Sequence, residues 1–107
     1  MNTFEEKEKG HEAKFAKEQE LKFKFIARRN KLFGLWAASQ MNKNAEDSEV
    51  YAKEIISLYI DKPVDQNILE KVSSDLANNN IQISKEEIIK KFEECFNTAK
   101  EQIISNK

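Results

Sequence analysis

The chain has 107 residues, a formal net charge of −1, 39% hydrophobic residues and 35% charged residues. This length predicts a single domain, and the absence of an apolar run near the ~18 residues of a spanning helix, or of an apolar leader, predicts an intracellular soluble protein. One cysteine and one histidine exclude a disulfide within the chain and argue against a zinc site built from this chain alone.

Two glycines and one proline are too few to supply the turns of a β-sandwich or β-barrel, which recur every ~8 to 12 residues. Helical periodicity follows from Leu21 onward. We therefore expect an all-α protein, a four-helix bundle with a long first helix and a flexible N-terminal arm.

The arm, residues 1–20, has four lysines and six glutamates but only Phe4 and Phe15 as large apolar side chains. Such a segment buries too little apolar surface to offset the entropy of ordering, so we expect it to be partly disordered when free. Thr3 to Glu6 fits a capping box that starts a helix, and Gly10 costs that helix about 1 kcal/mol. Residues 21–107 are predicted to form the four-helix domain.

The first helix is predicted to continue from the arm through Ala38, with Leu21, Phe25, Leu32 and Trp36 on one apolar stripe. This stripe is widened by Ile26, Phe33 and Ala37. Gly34 is a candidate close-packing point. The helix is expected to end near residues 41–44.

A second helix is predicted to begin near Asp47 or Ser48 and to end before Pro63, because the residue before a proline avoids the α region. The third is expected to begin at Asp65 as a cap and to end at the asparagines 78–80, which tolerate left-handed backbone. Residues 81–83 are predicted to be an extended linker.

A second capping box, Ser84 to Glu87, predicts the start of the last helix. Three sets of apolar residues at helical spacing mark the core faces of the second, third and fourth helices. They are Tyr51, Ile55, Leu58 and Tyr59; Leu69, Val72 and Leu76; and Ile88, Phe92, Cys95, Phe96, Ala99 and Ile103.

A basic segment follows the arm, with apolar residues between its charges and no acidic residue. Its cations are Lys22, Lys24, Arg28, Arg29 and Lys31. They could dock an acidic protein surface, a nucleotide phosphate or nucleic acid, or they could form an ordinary solvated helix face. The sequence pI near 5.9 favours a protein partner over nucleic acid.

No residue pattern predicts catalysis or a metal site. Neighbouring glutamates, such as Glu93 and Glu94, point in different directions on a helix, and His11 has no orienting partner nearby. Cys95 lies on an apolar face, where a thiol ionises poorly, and no glycine-rich phosphate loop is present. We expect Trp36 to anchor the core, with stacking on a ligand as the alternative.

Residues Phe15 to Ala38 closely resemble the zeta subunit of the alphaproteobacterial F-type ATP synthase, the small ATPase-inhibitor family of those bacteria. The motif ARRNKL, residues 27–32, followed by GLWAA, residues 34–38, is long and specific. The match extends over essentially the whole chain, including Tyr51 to Glu54 and Asp61 to Pro63.

This resemblance implies a four-helix protein that binds the catalytic headpiece of the synthase, with its alpha and beta subunits and central stalk, and blocks ATP hydrolysis. It also implies a cytoplasmic location, at the inner membrane only through the synthase. In the family the arm is the inhibitory element, so residues Thr3 to about Glu18 would form a helix in a cleft between two headpiece subunits. The implied arm contacts are Thr3, Phe4, Glu5, Lys7, Lys9, His11, Lys14 and Phe15.

The chain departs from the family at Gly10 and His11, where relatives more often carry alanine and an aromatic residue. Glycine raises the cost of ordering the arm, and histidine removes an apolar anchor. Both changes predict weaker inhibition than in the relatives.

Two alternatives remain open. One is a helical sensor that binds ADP or ATP on the basic, aromatic face formed by Lys22, Lys24, Arg28, Arg29, Lys31 and Trp36. The other is a subunit that binds the synthase but has lost inhibition.

Overall fold

The computed structural model describes the backbone of residues 3–105 and the side chains of residues 17–105. This part of the chain forms four helices: α1 Thr3–Gln40, α2 Ala45–Asp61, α3 Asp65–Asn78 and α4 Lys85–Ser105. The all-α, four-helix prediction is confirmed. No helix in the described part is long and apolar enough to span a bilayer.

Two helices end in the same backbone motif, with an asparagine in the left-handed conformation. Asn42 has φ 58° after α1, and Asn80 has φ 60° after α3. In each case the next amide donates to a carbonyl five residues earlier, from Lys43 to Ala38 and from Ile81 to Leu76. These are Schellman caps, and they confirm the predicted role of the asparagines 78–80.

The predicted start of α3 near Asp65 is confirmed, whereas α2 begins at Ala45, two residues before Asp47, and the predicted caps of both helices were wrong. Asn44, which lies before Asp47, caps α2, and its side chain accepts a 2.8 Å hydrogen bond from the Asp47 amide. Val64 occupies the cap of α3, so Asp65 is the first helical residue, and its carboxylate is directed to Arg29. Ser84 does accept a hydrogen bond from the Glu87 amide at the start of α4, as predicted.

The core lies where α1 packs against α2 and α4. Gly34 is the close-packing point: a Cβ at this position would lie 2.9 Å from the Cα of Ala52 on α2. The ring of Phe33 meets the ring of Phe92 on α4 edge to face, with their centroids 5.0 Å apart. The close contact at Gly34 positions α2 against α1, and the aromatic pair at Phe33 positions α4 on a different side of α1.

The apolar stripe predicted for α1 is confirmed, but its most buried part is the edge formed by Phe33 and Ala37. The fully buried residues include Phe33 and Ala37, whereas Leu32 and Trp36 are only partly buried beside them. In α3 Ile68 is buried together with Val72 and Leu76, whereas the predicted core residue Leu69 is only half-buried. The other main core predictions, including Ile55, Val72, Leu76 and Phe92, are confirmed.

Candidate docking surface on the first helix

The part of α1 that precedes the bundle is a helical extension. α1 has 38 residues and α4 has 21, which correspond to about 57 Å and 32 Å at 1.5 Å per residue. The side chains of Lys17, Glu18, Gln19 and Glu20 are exposed, and burial begins at Leu21. The ring of Phe25 then meets that of Phe96 on α4, with 6.4 Å between centroids.

The arm residues predicted to contact a partner lie outside the described side chains. The backbone of this segment belongs to α1 from Thr3 onward. Thus the helix expected for a bound arm is present, and the contacts predicted from Thr3 to Phe15 stay predictions. The order of the free arm and its division from the four-helix domain stay predictions as well.

The cations of the basic segment do not share one face. Lys24, Arg28 and Lys31 follow the i, i+4, i+7 spacing of one helix side. They line an open cleft of about 390 Å³ together with Phe23 and, from α2 and α4, Ile56 and Ile103. We call this surface, formed by Phe23, Lys24, Arg28, Lys31, Ile56 and Ile103, the basic cleft.

Lys22 and Arg29 line a different cleft, of about 670 Å³, on the other side of α1. Carboxylates are present there: Asp65 and Glu93 are among its lining residues. The two clefts therefore differ in charge, since the residues that line the basic cleft include cations and no acid.

Arg29 is a buried residue of α1 that contacts the other three helices. It is 5% exposed, and its Nη2 donates a 2.9 Å hydrogen bond to Asp65 Oδ1 at the start of α3. Its Cζ lies 4.1 Å from the ring centroid of Phe92 on α4 and 5.7 Å from that of Tyr59 on α2. Stacking on aromatic faces and a charge-assisted hydrogen bond give the guanidinium a structural role.

Trp36 lies apart from both clefts. It is partly buried and stacks on Phe33 with ring centroids 5.7 Å apart, which agrees with the predicted core anchor. The six residues proposed from the sequence as one nucleotide-binding or docking face thus lie in three places: the basic cleft, the cleft around Arg29, and the Phe33 contact.

The cations of the basic cleft are largely free for a partner. Within residues 17–105, Lys24 makes an i, i+4 ion pair with Glu20 at 3.7 Å, and both side chains are exposed. No ion pair involves Arg28 or Lys31 in this part of the chain. Exposed pairs contribute little to stability, so the charge of this surface is available to attract an acidic partner.

Among residues 17–105, two groups have shifted pKa values, and both lie within the bundle, away from the basic cleft. Burial raises the pKa of the Cys95 thiol, which keeps it protonated and unreactive. Burial, and then a 2.7 Å hydrogen bond donated to Asp75, raise the pKa of the Tyr51 phenol. Among the described residues, no cluster of three or more His, Cys, Asp or Glu side chains is arranged to hold a metal ion.

Sequence reasoning missed the separate position of Phe23. It was noted only as one of several apolar residues between the lysines, yet it is 57% exposed while Phe25 and Ile26 are partly buried. The signal was its spacing, because Phe23 does not share the stripe of Leu21 and Phe25. The contributions of Ile56 and Ile103 to this surface required the packing of α2 and α4.

Comparisons with known proteins identify the family. A family model described as ATPase inhibitor subunit zeta matches residues 1–102. A solved chain, described as a solution NMR structure of the protein, matches with 30% sequence identity and a TM-score of 0.71 over 81% of this chain and 99% of that chain. No curated protein matches.

Proposed function

Because the chain belongs to the ATPase inhibitor subunit zeta family, we propose that it binds the catalytic headpiece of the F-type ATP synthase and blocks ATP hydrolysis with its arm. The family description is that of an inhibitor subunit, which supports a regulatory protein. In this proposal the arm enters a catalytic interface between headpiece subunits, and the bundle holds it there. The protein is at the inner membrane only through the synthase.

The observation that supports an inserted arm is the continuity of α1. One helix includes residues 3–20 and the bundle residues from Leu21 to Gln40. The arm is therefore joined to the bundle by a continuous helix. Once the bundle is bound to the headpiece, this connection limits the positions that the arm can reach. About 27 Å of helix precedes Leu21.

The composition of the arm suits a helix that is stable mainly in a partner's cleft. Its many charges and two phenylalanines leave little for its own core to bury, whereas a partner can cover the whole helix. A segment that orders on binding pays the entropy of ordering at that moment, which leaves its affinity sensitive to helix propensity.

Inhibition in this proposal is conformational and needs no covalent chemistry. Rotary catalysis requires each catalytic interface to open and close in turn. A helix that binds one of these states more tightly shifts the population toward that state and stops the cycle. Rotation in the synthesis direction opens the occupied interface and expels the helix, so the block acts on hydrolysis.

The test is ATP hydrolysis by the cognate headpiece, followed while the full chain is titrated. We expect a saturable loss of activity that parallels binding. Binding with unchanged hydrolysis would instead support the alternative of a subunit that has lost inhibition, and it would contradict the proposal.

A further inference from the structure

The bundle carries a second candidate contact, separate from the arm. Phe23 is 57% exposed and forms part of two neighbouring clefts, the basic cleft and one of about 600 Å³ that it shares with Ile60 and Pro63. An exposed aromatic ring between two depressions has the properties of an interface anchor, since aromatic residues that insert between partner side chains dominate binding energy.

The charges beside Phe23 indicate what such a partner would carry. Lys24, Arg28 and Lys31 recur along one side of α1, with Ile56 and Ile103 beside them. Residues at i, i+3 and i, i+4 lie about 5–6 Å apart on a helix, so carboxylates at the same spacing on a partner helix would face these cations. The apolar residues would cover the other half of that helix.

Continuity with the arm indicates where the partner lies. Phe23 follows Glu20 by three residues, about 4.5 Å along α1, and the basic cleft then extends about 12 Å to Lys31. A protein that encloses the arm therefore reaches the basic cleft without any change in the course of α1. The whole chain has a net charge of −1, which argues against a polyanion such as nucleic acid as the occupant.

From this surface we infer that the basic cleft docks an acidic amphipathic helix on the outside of the catalytic headpiece, with Phe23 as its anchor. The inference rests on the proposed function for the identity of the partner. It adds a second contact that holds the bundle while the arm occupies the catalytic interface. Two contacts on one rigid helix raise the effective concentration of the arm at its site.

The test measures association and dissociation of full-length variants on immobilised headpiece in the presence of Mg-ATP. The pair Arg28→Glu and Lys31→Glu reverses two of the three positive charges of the basic cleft, and the control makes the same change at Lys85 and Lys90, two exposed lysines of α4. We expect the first pair to slow association about 10-fold at low salt, because opposite charges steer encounter. The difference in association rate between the wild type and this variant should disappear at about 1 M salt, where screening is strong.

Phe23→Ala tests the anchor. We expect dissociation to become about 10-fold faster, because anchor residues act mainly on the lifetime of a complex. Val50→Ala is the matched control, since Val50 is a similarly exposed apolar residue on α2. Unchanged helical circular dichroism and unfolding midpoints would show that the variants fold.

The outcomes separate this inference from the proposed function. A wild-type chain that binds and inhibits, with variants that match it, would overturn the docking role and leave the proposed function intact. A wild-type chain that binds without inhibiting, and whose binding falls in the variants, would support docking and overturn inhibition. Absence of wild-type binding would overturn both.

Sedimentation of the free chain tests whether a second copy of the chain, rather than the headpiece, occupies the basic cleft. We expect Phe23→Ala to leave its oligomeric state unchanged. A dimer that this substitution dissociates, with headpiece binding unaffected, would assign the surface to a second copy of the chain and overturn the inference.

Discussion

Arg29, on α1, links α1 to the other three helices, because each of them supplies one of its contacts. Its ion pair with Asp65 is asymmetric in burial: the Arg29 side chain is 6% exposed and the Asp65 side chain 53%. Removing the carboxylate leaves a buried cation without its charged partner, whereas removing the guanidinium leaves a solvated acid. The cost of breaking this ion pair therefore comes mainly from leaving the buried guanidinium of Arg29 unpaired.

A double-mutant cycle tests this asymmetry. We expect Asp65→Ala to lower the free energy of unfolding by about 2–3 kcal/mol, although Asp65 is exposed, because the cost falls on the buried guanidinium. In an Arg29→Met background the same change should cost only about 0.5 kcal/mol, the contribution of an acid at a helix N-terminus. Urea unfolding measures both, and equal costs in the two backgrounds would contradict the role given to Arg29.

Gly34→Ala tests the close approach of α1 and α2. The added Cβ would lie 2.9 Å from a backbone atom, Ala52 Cα, so the helices must separate. We expect a loss of about 1–2 kcal/mol in unfolding free energy, since overpacking outweighs the gain of about 1 kcal/mol in helix propensity. A rise in stability in thermal or urea unfolding would show that propensity dominates there.

The raised pKa of Tyr51 predicts that the folded protein loses stability at alkaline pH. Burial and the hydrogen bond to Asp75 raise the pKa of its phenol in the folded state, so the folded protein holds this proton at a pH where the unfolded chain has lost it. The stabilisation is complete below the unfolded pKa of about 10 and is lost as pH rises above it.

We therefore expect Tyr51→Phe to cost about 1 kcal/mol near neutral pH, where it removes one hydrogen bond. Above pH ~10 the gap between the wild type and the variant should shrink by up to about 1.4 kcal/mol per pH unit. Urea unfolding at several pH values measures it. A gap that stays constant, or grows, above pH 10 would contradict the raised pKa.

The helical elements follow closely from sequence patterns. Apolar spacing predicted four helices, and Pro63 and the asparagines 78–80 set ends that the structure shows. The errors occur where a polar side chain can either cap a helix or bind a distant residue. Asp65 has the sequence context of a cap, but it pairs with Arg29, a partner 36 positions away, and local sequence carries no signal of that distance.

The basic segment shows the same limit at the candidate surface. All five cations were expected on one face, but the structure places only Lys24, Arg28 and Lys31 together in the basic cleft. Sequence periodicity does not reveal that Arg29 is buried, because an arginine between apolar residues is usually exposed. Burial of Arg29 depends on Phe92 and Tyr59, which only the packing of α2 and α4 brings to it.

The helix propensity of the arm predicts how tightly it inhibits. Gly10 lies inside α1, where glycine costs about 1 kcal/mol relative to alanine. If helix formation limits binding, Gly10→Ala should lower the concentration needed for half-inhibition of headpiece hydrolysis about 5-fold. The converse change in the same segment, Ala13→Gly, should raise it by a similar factor. Equal inhibition by both variants would contradict a helix-limited arm.

At the scale of the whole molecule, the proposed inhibitory arm and the proposed docking surface lie along one helix. α1 joins an extension that precedes the bundle to a basic cleft and a tightly packed core, and the molecule measures 66 Å along its longest axis against 26 and 22 Å across. This shape suits a protein whose bundle docks on a large assembly while its extension reaches into it. In the proposed function, both parts must act together for inhibition.

The most direct measurement compares ATP hydrolysis by headpiece saturated with the full chain, with a chain that begins at Leu21, or with a full chain carrying Lys14→Pro. Proline in a helix interior costs about 3 kcal/mol, so this variant breaks the helix of the arm and leaves its other residues unchanged. With occupancy matched by a binding assay, the account predicts that only the full wild-type chain stops hydrolysis. Equal inhibition by a folded chain that lacks the arm would contradict it.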